Sequence, residues 1–149
     1  MKKAILFLII FASLLGCSSE KDDTQNNKLF GNWKLEAFVN ETNGIILTAD
    51  DFENSNEINI DFKENNKFEG YTGINDFLGN YFMKTKELLI FNDVNLSFVS
   101  ENDWGNLFFD SLYLNYNVTT SNYENNIKLS ANILKLYYSE NEYMRFEKM

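Results

Sequence analysis

The stretch Phe68–Tyr81, FEGYTGINDFLGNY, decides how the chain is read. Three of the seven glycines, Gly70, Gly73 and Gly79, fall inside it and alternate with aromatic side chains. A glycine supplies positive φ or lets another group approach the backbone closely, and an asparagine such as Asn75 bonds back to a turn. With Phe68, Phe77 and Tyr81 as anchors, the segment is expected to be a bulged, folded-over loop between two strands. A phosphate cradle is the competing chemistry. The glycine spacing fits neither the dinucleotide nor the P-loop fingerprint, and no lysine follows at the required place.

Working outward, the flanks alternate with the period of strands. Ile58, Ile60 and Phe62 oppose Asn59, Asp61 and Lys63, and turn material follows at Glu64–Lys67. A two-residue loop at Asn65 and Asn66 would pair Phe62 with Glu69, whereas an odd-length loop puts Phe62 and Phe68 on one face; the odd loop is expected, with an asparagine at positive φ. Upstream, Leu29–Val39 reads as a half-buried strand with Trp33, Leu35, Ala37 and Val39 on one face and Phe38 on the other. Between them, residues 40–57 hold a short strand and a long loop. The acidic run there, DDFENSNE, lacks the glycine and the spaced glutamate of a calcium loop and reads as solvated. Leu88–Phe91, Ile127–Leu129, Leu134–Tyr138 and Tyr143–Phe146 read as further strands. One segment changes period: Trp104, Leu107, Phe108 and Leu112 recur at helical spacing, with Ser100 and Asp103 as a capping box. The expected fold is mainly β (α+β), an antiparallel sheet or partly open barrel of about eight strands with one amphipathic helix over an end or face.

At its glycine-rich centre the chain resembles the META, or HslJ-like, domain family, in which a strand ending in Phe/Val-x-Gly leads to Gly-Cys-Asn-x-Phe/Tyr-x-Gly-x-Tyr. Phe68, Gly70, Gly73, Asn75, Phe77, Gly79 and Tyr81 fall on that pattern. Gly31–Leu35, with Trp33, resembles the family's opening strand, and the likeness runs over most of residues 29–149. Ile74 stands at the family's cysteine position, and the second cysteine before the helix is also missing, which fits paired loss of an optional bridge. Asn115–Asn126 is longer than the family pattern. The resemblance implies a small envelope or secreted β-rich domain with roles in stress tolerance or interaction and no established catalysis. Its opening also resembles that of lipocalin-like carriers of small apolar ligands, the alternative reading.

The N-terminus has a different likeness. Lys2 and Lys3 precede an apolar run from Ala4 to Phe11 that is too short to span a bilayer, and Leu14-Leu15-Gly16-Cys17 closes it. This resembles a bacterial lipoprotein signal, which implies a signal peptide over residues 1–16 and lipidation, palmitate included, at Cys17. Residues 17–28 are polar and read as a tether, and residues 29–149 form one domain. Lys21, Asp22 and Asp23 resemble a sorting signal toward the surface of the outer membrane. Two or three acyl chains hold a protein stably at a membrane, so the expected location is the cell envelope, with the membrane as one partner and an envelope protein as another.

Composition limits the chemistry. The net charge of -9 disfavours nucleic acid, whose binding depends on cations replacing condensed counterions. The chain has no histidine, and its one cysteine is assigned to lipid. Ser-His-Asp, Cys-His and histidine-bearing zinc sites are therefore excluded. A two-carboxylate hydrolase is the remaining enzymatic form, and scattered acids on polar strand faces are better read as solvated surface. A non-catalytic domain without cofactor or metal is expected, with Trp33, Gly70, Gly73, Asn75, Phe77, Gly79 and Tyr81 as structural determinants.

Overall fold

The computed structural model describes residues 28–149. Expectations for the leader (residues 1–16), for Cys17 and for the tether as far as residue 27 lie outside the described residues. Lys28, the last residue assigned to the tether, is helical together with Leu29.

Ten strands follow in chain order: β1 (Gly31–Asn40), β2 (Ile46–Leu47), β3 (Asn59–Phe62), β4 (Lys67–Tyr71), β5 (Asp76–Thr85), β6 (Leu88–Leu96), β7 (Tyr116–Asn117), β8 (Asn122–Leu129), β9 (Ile133–Tyr137) and β10 (Glu142–Lys148). Helix α1 (Asp103–Tyr113) lies between β6 and β7. The eight longer strands pair antiparallel in the order β1-β3-β4-β5-β6-β8-β9-β10, and β10 returns to β1. The sheet is thus a closed barrel rather than an open one, which removes free strand edges. The two short strands lie off the closed ring, β2 on β1 and β7 on β8. The long segment Asn115–Asn126 is accounted for by this added β7–β8 hairpin.

Register explains how an aromatic-rich chain fits such a narrow interior. Trp33, Ile60, Gly70, Phe77 and Leu96 are successive cross-strand partners over β1, β3, β4, β5 and β6. The next row runs Gly31, Phe62, Phe68, Gly79. Two inward phenylalanines of the β4–β5 pair therefore face glycines: Phe68 opposite Gly79, and Phe77 opposite Gly70. The space a side chain would fill at Gly70 is taken by the Phe77 ring, and a Cβ at Gly79 would lie 2.8 Å from the Asn92 carbonyl oxygen and 2.9 Å from Phe68 Cε1. Rings then meet across the interior, with Phe68 and Phe91 centroids 4.8 Å apart and Phe62 and Tyr81 4.9 Å apart, both edge-on.

Helix α1 covers the end of the barrel where β1 finishes and β5 begins. Trp104 packs edge-on against Phe38 with centroids 5.1 Å apart, and Phe108 lies 5.1 Å from Phe77. Trp104, Phe108 and Leu112 are buried, as the helical spacing requires.

Three expectations need correction. The β1 face does not keep one parity: the register shifts between Leu35 and Ala37, so Phe38 joins Trp33 and Leu35 in the main core while Ala37 and Val39 turn to the outer wall. A bulge inserts one residue and inverts every side chain beyond it. Phe68–Tyr81 is mostly strand, with only Thr72–Asn75 as a loop, because Gly70 and Gly79 face rings inside the ladder and Gly73 alone serves the turn. The helix is capped by Asn102, whose side chain accepts from Gly105 N–H at 2.8 Å, and not by Ser100 with Asp103. The odd β3–β4 loop is as expected: Phe62 pairs with Phe68, and Asn66 has φ +61°.

Gly70→Ala forces a methyl group into the Phe77 ring and is expected to lower stability by about 1–3 kcal/mol, the range for overpacked cores. Thermal melting followed by circular dichroism checks this. Phe77→Leu in the Gly70→Ala background should recover part of the loss, since the two changes share one contact; melting of Gly70→Ala at the wild-type temperature would overturn the pairing.

Candidate functional site

The loop between β4 and β5 begins as a side-chain-closed turn. Thr72 N–H donates to Asn75 O at 3.0 Å, and Asn75 N–H donates to Thr72 Oγ1 at 2.9 Å. Gly73 crosses between them at φ +87°, with Asn56 packed where a Cβ would stand. Backbone and threonine close the turn, so the Asn75 side chain is released from the role the sequence suggests and reaches the β6–α1 connection instead.

There it holds four bonds. Asn75 Oδ1 accepts from Val99 N–H at 2.8 Å and from Ser97 Oγ at 3.0 Å; Asn75 Nδ2 donates to Val99 O at 2.7 Å and to Glu101 Oε1 at 2.6 Å. Two donors and two lone pairs are the full capacity of a carboxamide, so this buried side chain is saturated. Toward Val99 it imitates a neighbouring strand, pairing N–H and C=O together. Thr72 Oγ1 also donates to Glu101 Oε1, which ties the carboxylate to the turn beside the start of α1. Negative charge there is favoured by the helix dipole. Glu101 Oε2 is buried and has no partner among the described residues.

The consequence lies at the tip. Phe98 is 93% exposed and Val99 61% exposed, on a connection whose backbone the buried amide grips. A lone exposed apolar residue is ordinary on a protein surface. A phenylalanine on a braced loop differs because the backbone ordering that binding would require is already in place. The cluster has one ionisable group, Glu101, whose carboxylate accepts from the Thr72 hydroxyl and the Asn75 amide. It can hold a loop and offer an apolar contact. Among the described residues, no group of three or more Asp, Glu, His or Cys is arranged to hold a metal ion.

Of the residues marked by sequence, Gly70, Gly73, Asn75, Phe77, Gly79 and Tyr81 share the β4–β5 hairpin. Trp33 lies in the Gly70–Phe77 row, and its Nε1 donates to Leu29 O at 2.7 Å. The Tyr81 hydroxyl donates to Lys63 O at 2.9 Å and so fastens the β3–β4 turn; burial, aided by the Asp61 charge, holds its pKa well above the ordinary phenol value. Sequence reasoning missed Thr72, Ser97, Phe98, Val99 and Glu101. The Thr72-x-x-Asn75 spacing is a weak turn signal, but nothing local marks the distant partners.

Asn75→Ala leaves Val99 N–H and O without partners and is expected to cost about 1–3 kcal/mol, with faster hydrogen exchange at Val99 than in the strands. Asn75→Asp would set a new carboxylate against Val99 O and Glu101, so the folded state would hold its proton more tightly than the unfolded chain. The deficit should be full at neutral pH and shrink as pH falls through that raised folded pKa. Urea unfolding against wild type at several pH values checks it; a deficit independent of pH would contradict the four-bond geometry.

No family model matches the chain, and no curated protein matches it. Among solved structures, it is similar to an NMR structure of a protein from Burkholderia xenovorans, with 15% identity over 86% of this chain and 88% of that one and a TM-score of 0.58. It is also similar to the crystal structure of a DUF4847 family protein from Bacteroides vulgatus ATCC 8482, with 16% identity over 83% of this chain and 96% of that one and a TM-score of 0.56. At these identities the likeness is one of fold.

Proposed function

We propose that the chain is a non-catalytic lipoprotein of the cell envelope, anchored through Cys17 and working by surface contact with an envelope protein. The observation that carries this reading is the pairing of a filled interior with a braced, outward-facing phenylalanine. Trp33, Phe62, Phe77, Tyr81, Phe91 and Phe108 are each no more than 2% exposed. A small eight-stranded barrel is wide enough either to be packed with side chains or to hold one small ligand, and rings in mutual contact favour the first use. The META-like motif supports the same reading, since Gly70, Gly73, Asn75, Phe77, Gly79 and Tyr81 all serve to build the hairpin and its brace. The lead sequence ending at Cys17 supports the anchor, and the likeness of Lys21, Asp22 and Asp23 to a sorting signal supports an outer-membrane location. The closed barrel itself favours the alternative of a lipocalin-like carrier, for which solvent extraction of the purified protein should release a stoichiometric lipid.

Cys17→Ala should abolish palmitate labelling and move the protein from the membrane to the soluble fraction; labelling that persists would contradict the anchor. A photo-crosslinking residue at position 98 in intact cells should give one discrete product that Asn75→Ala weakens. The same probe at Val118, which is 80% exposed but outside the brace, should not give it. Equal products from both positions would overturn contact through the Phe98 loop.

A further inference from the structure

An antiparallel barrel sends alternate connections to opposite ends, and here the two ends differ in charge. At the end covered by α1 the connections are residues 41–58, 72–75, 97–115, 118–121 and 138–141. With the two adjoining residues of each strand included, their charged side chains are Asp and Glu throughout, without one Lys or Arg. The opposite end has the turns 63–66, 86–87 and 130–132. Lys63 and Lys86 lie in those turns, and Lys67, Lys84, Lys128 and Lys148 stand at the adjoining strand ends. Asp61, Glu64, Glu87 and Glu147 are the acids in the same positions, and Lys63 pairs with Glu69 on the wall above. The end is cationic by a small margin; the contrast with the acid-only end is large.

A second feature falls on the cationic end. Residues 1–27 join the barrel there, at exposed Lys28, just before β1. Lys148 Nζ donates to Lys28 O at 3.1 Å and lies 5.2 Å from the Trp33 ring centroid, which fastens the point of entry to the last strand. The Phe98 tip lies at the other end, on the β6–α1 connection.

We infer that the lysine-bearing end is a membrane-facing surface, set against the anionic phospholipid headgroups of the leaflet that holds the Cys17 acyl chains. This rests on the lipid anchor proposed above and adds the orientation of the domain upon it. From Cys17 to Lys28 the chain reaches at most about 36 Å when fully extended, so the entry end stays near the surface. The negative potential of anionic lipids attracts lysines and decays within a Debye length, about 8 Å at physiological salt. Only the nearest end of the barrel feels it. With the lysines nearest, contact is attractive; with the domain tipped over on its tether, the acid-only end is repelled. The preference comes from the difference between the ends, so Asp61, Glu64, Glu87 and Glu147 weaken the attraction without reversing it. Phe98 is thereby turned away from the bilayer, toward a partner in the envelope.

The test uses the acylated protein purified from membranes, in which Cys17 is occupied by lipid and an introduced cysteine takes one fluorescent label. Asn65→Cys places it in the β3–β4 turn and Thr42→Cys in the connection after β1, both exposed. In vesicles of equal parts phosphatidylcholine and phosphatidylglycerol carrying nitroxide-labelled headgroups, the label at 65 should be quenched several-fold more than that at 42. High salt, or phosphatidylcholine alone, should remove most of the difference. Lys67→Gln with Lys84→Gln, both exposed, should shrink it without changing the melting temperature. Equal quenching at the two positions, stronger quenching at 42, or a difference insensitive to salt, to phosphatidylglycerol or to the double variant would each overturn the orientation. Attachment is read separately, as flotation with phosphatidylcholine vesicles at high salt. A protein that floats with equal quenching loses the orientation alone, whereas one that does not float loses the anchor and the orientation with it.

Discussion

The structure depends on the reciprocal packing of Phe68 on Gly79 and Phe77 on Gly70. An eight-stranded barrel has an interior just wide enough for side chains, and 16% of this chain is aromatic. Large rings on every inward position would not fit. Placing glycine opposite Phe68 and Phe77 gives each of these rings room beyond its own position, and the rows through Trp33 and Phe62 inherit that register. Closure of β10 on β1 then runs through the bulge between Leu35 and Ala37 and through two register shifts in the β5–β6 pair, at Leu78/Asn80 and Met83/Thr85.

Much of this was legible because it is local. Alternation at Ile58–Phe62 gave β3, the parity of the β3–β4 loop gave the Phe62–Phe68 pairing, and helical spacing gave α1. The failures have physical causes. A bulge at Glu36 has no compositional signature, so the inversion that sends Phe38 inward and Val39 outward could not be read from alternation. The glycines of Phe68–Tyr81 suggested a loop because glycine more often serves turns than rings; only the cross-strand partner tells the two uses apart. Asn102 rather than Ser100 caps the helix because Ser97–Glu101 is drawn to Asn75, a long-range contact that a capping pattern cannot register.

Asn75 links fold to display. A buried carboxamide with all four bonds made contributes modestly to stability, yet leaving its partners bare costs far more. That asymmetry makes the β6–α1 connection all-or-none: either the amide is seated and the Phe98 tip is fixed, or several polar groups are buried without partners. Display of the phenylalanine is thus coupled to integrity of the β4–β5 turn, and Gly73 and Thr72 belong to the site although neither meets the surface contact.

The bulge in β1 has a second effect. Ala37 and Val39, turned outward beyond it, make the small apolar floor on which Tyr137 and Tyr143 lie, and those rings in turn support the Lys128 and Lys135 ammonium groups. Had β1 kept the parity suggested by its sequence, Ala37 and Val39 would face the core and the tyrosines would rest on Glu36 and Phe38. One inserted residue therefore supplies both a core position for Phe38, which seats Trp104 of the capping helix, and an outer platform for these two lysines. Interior packing and outer-wall chemistry are consequences of the same register shift, so the wall's charges stand on a foundation that the core itself requires.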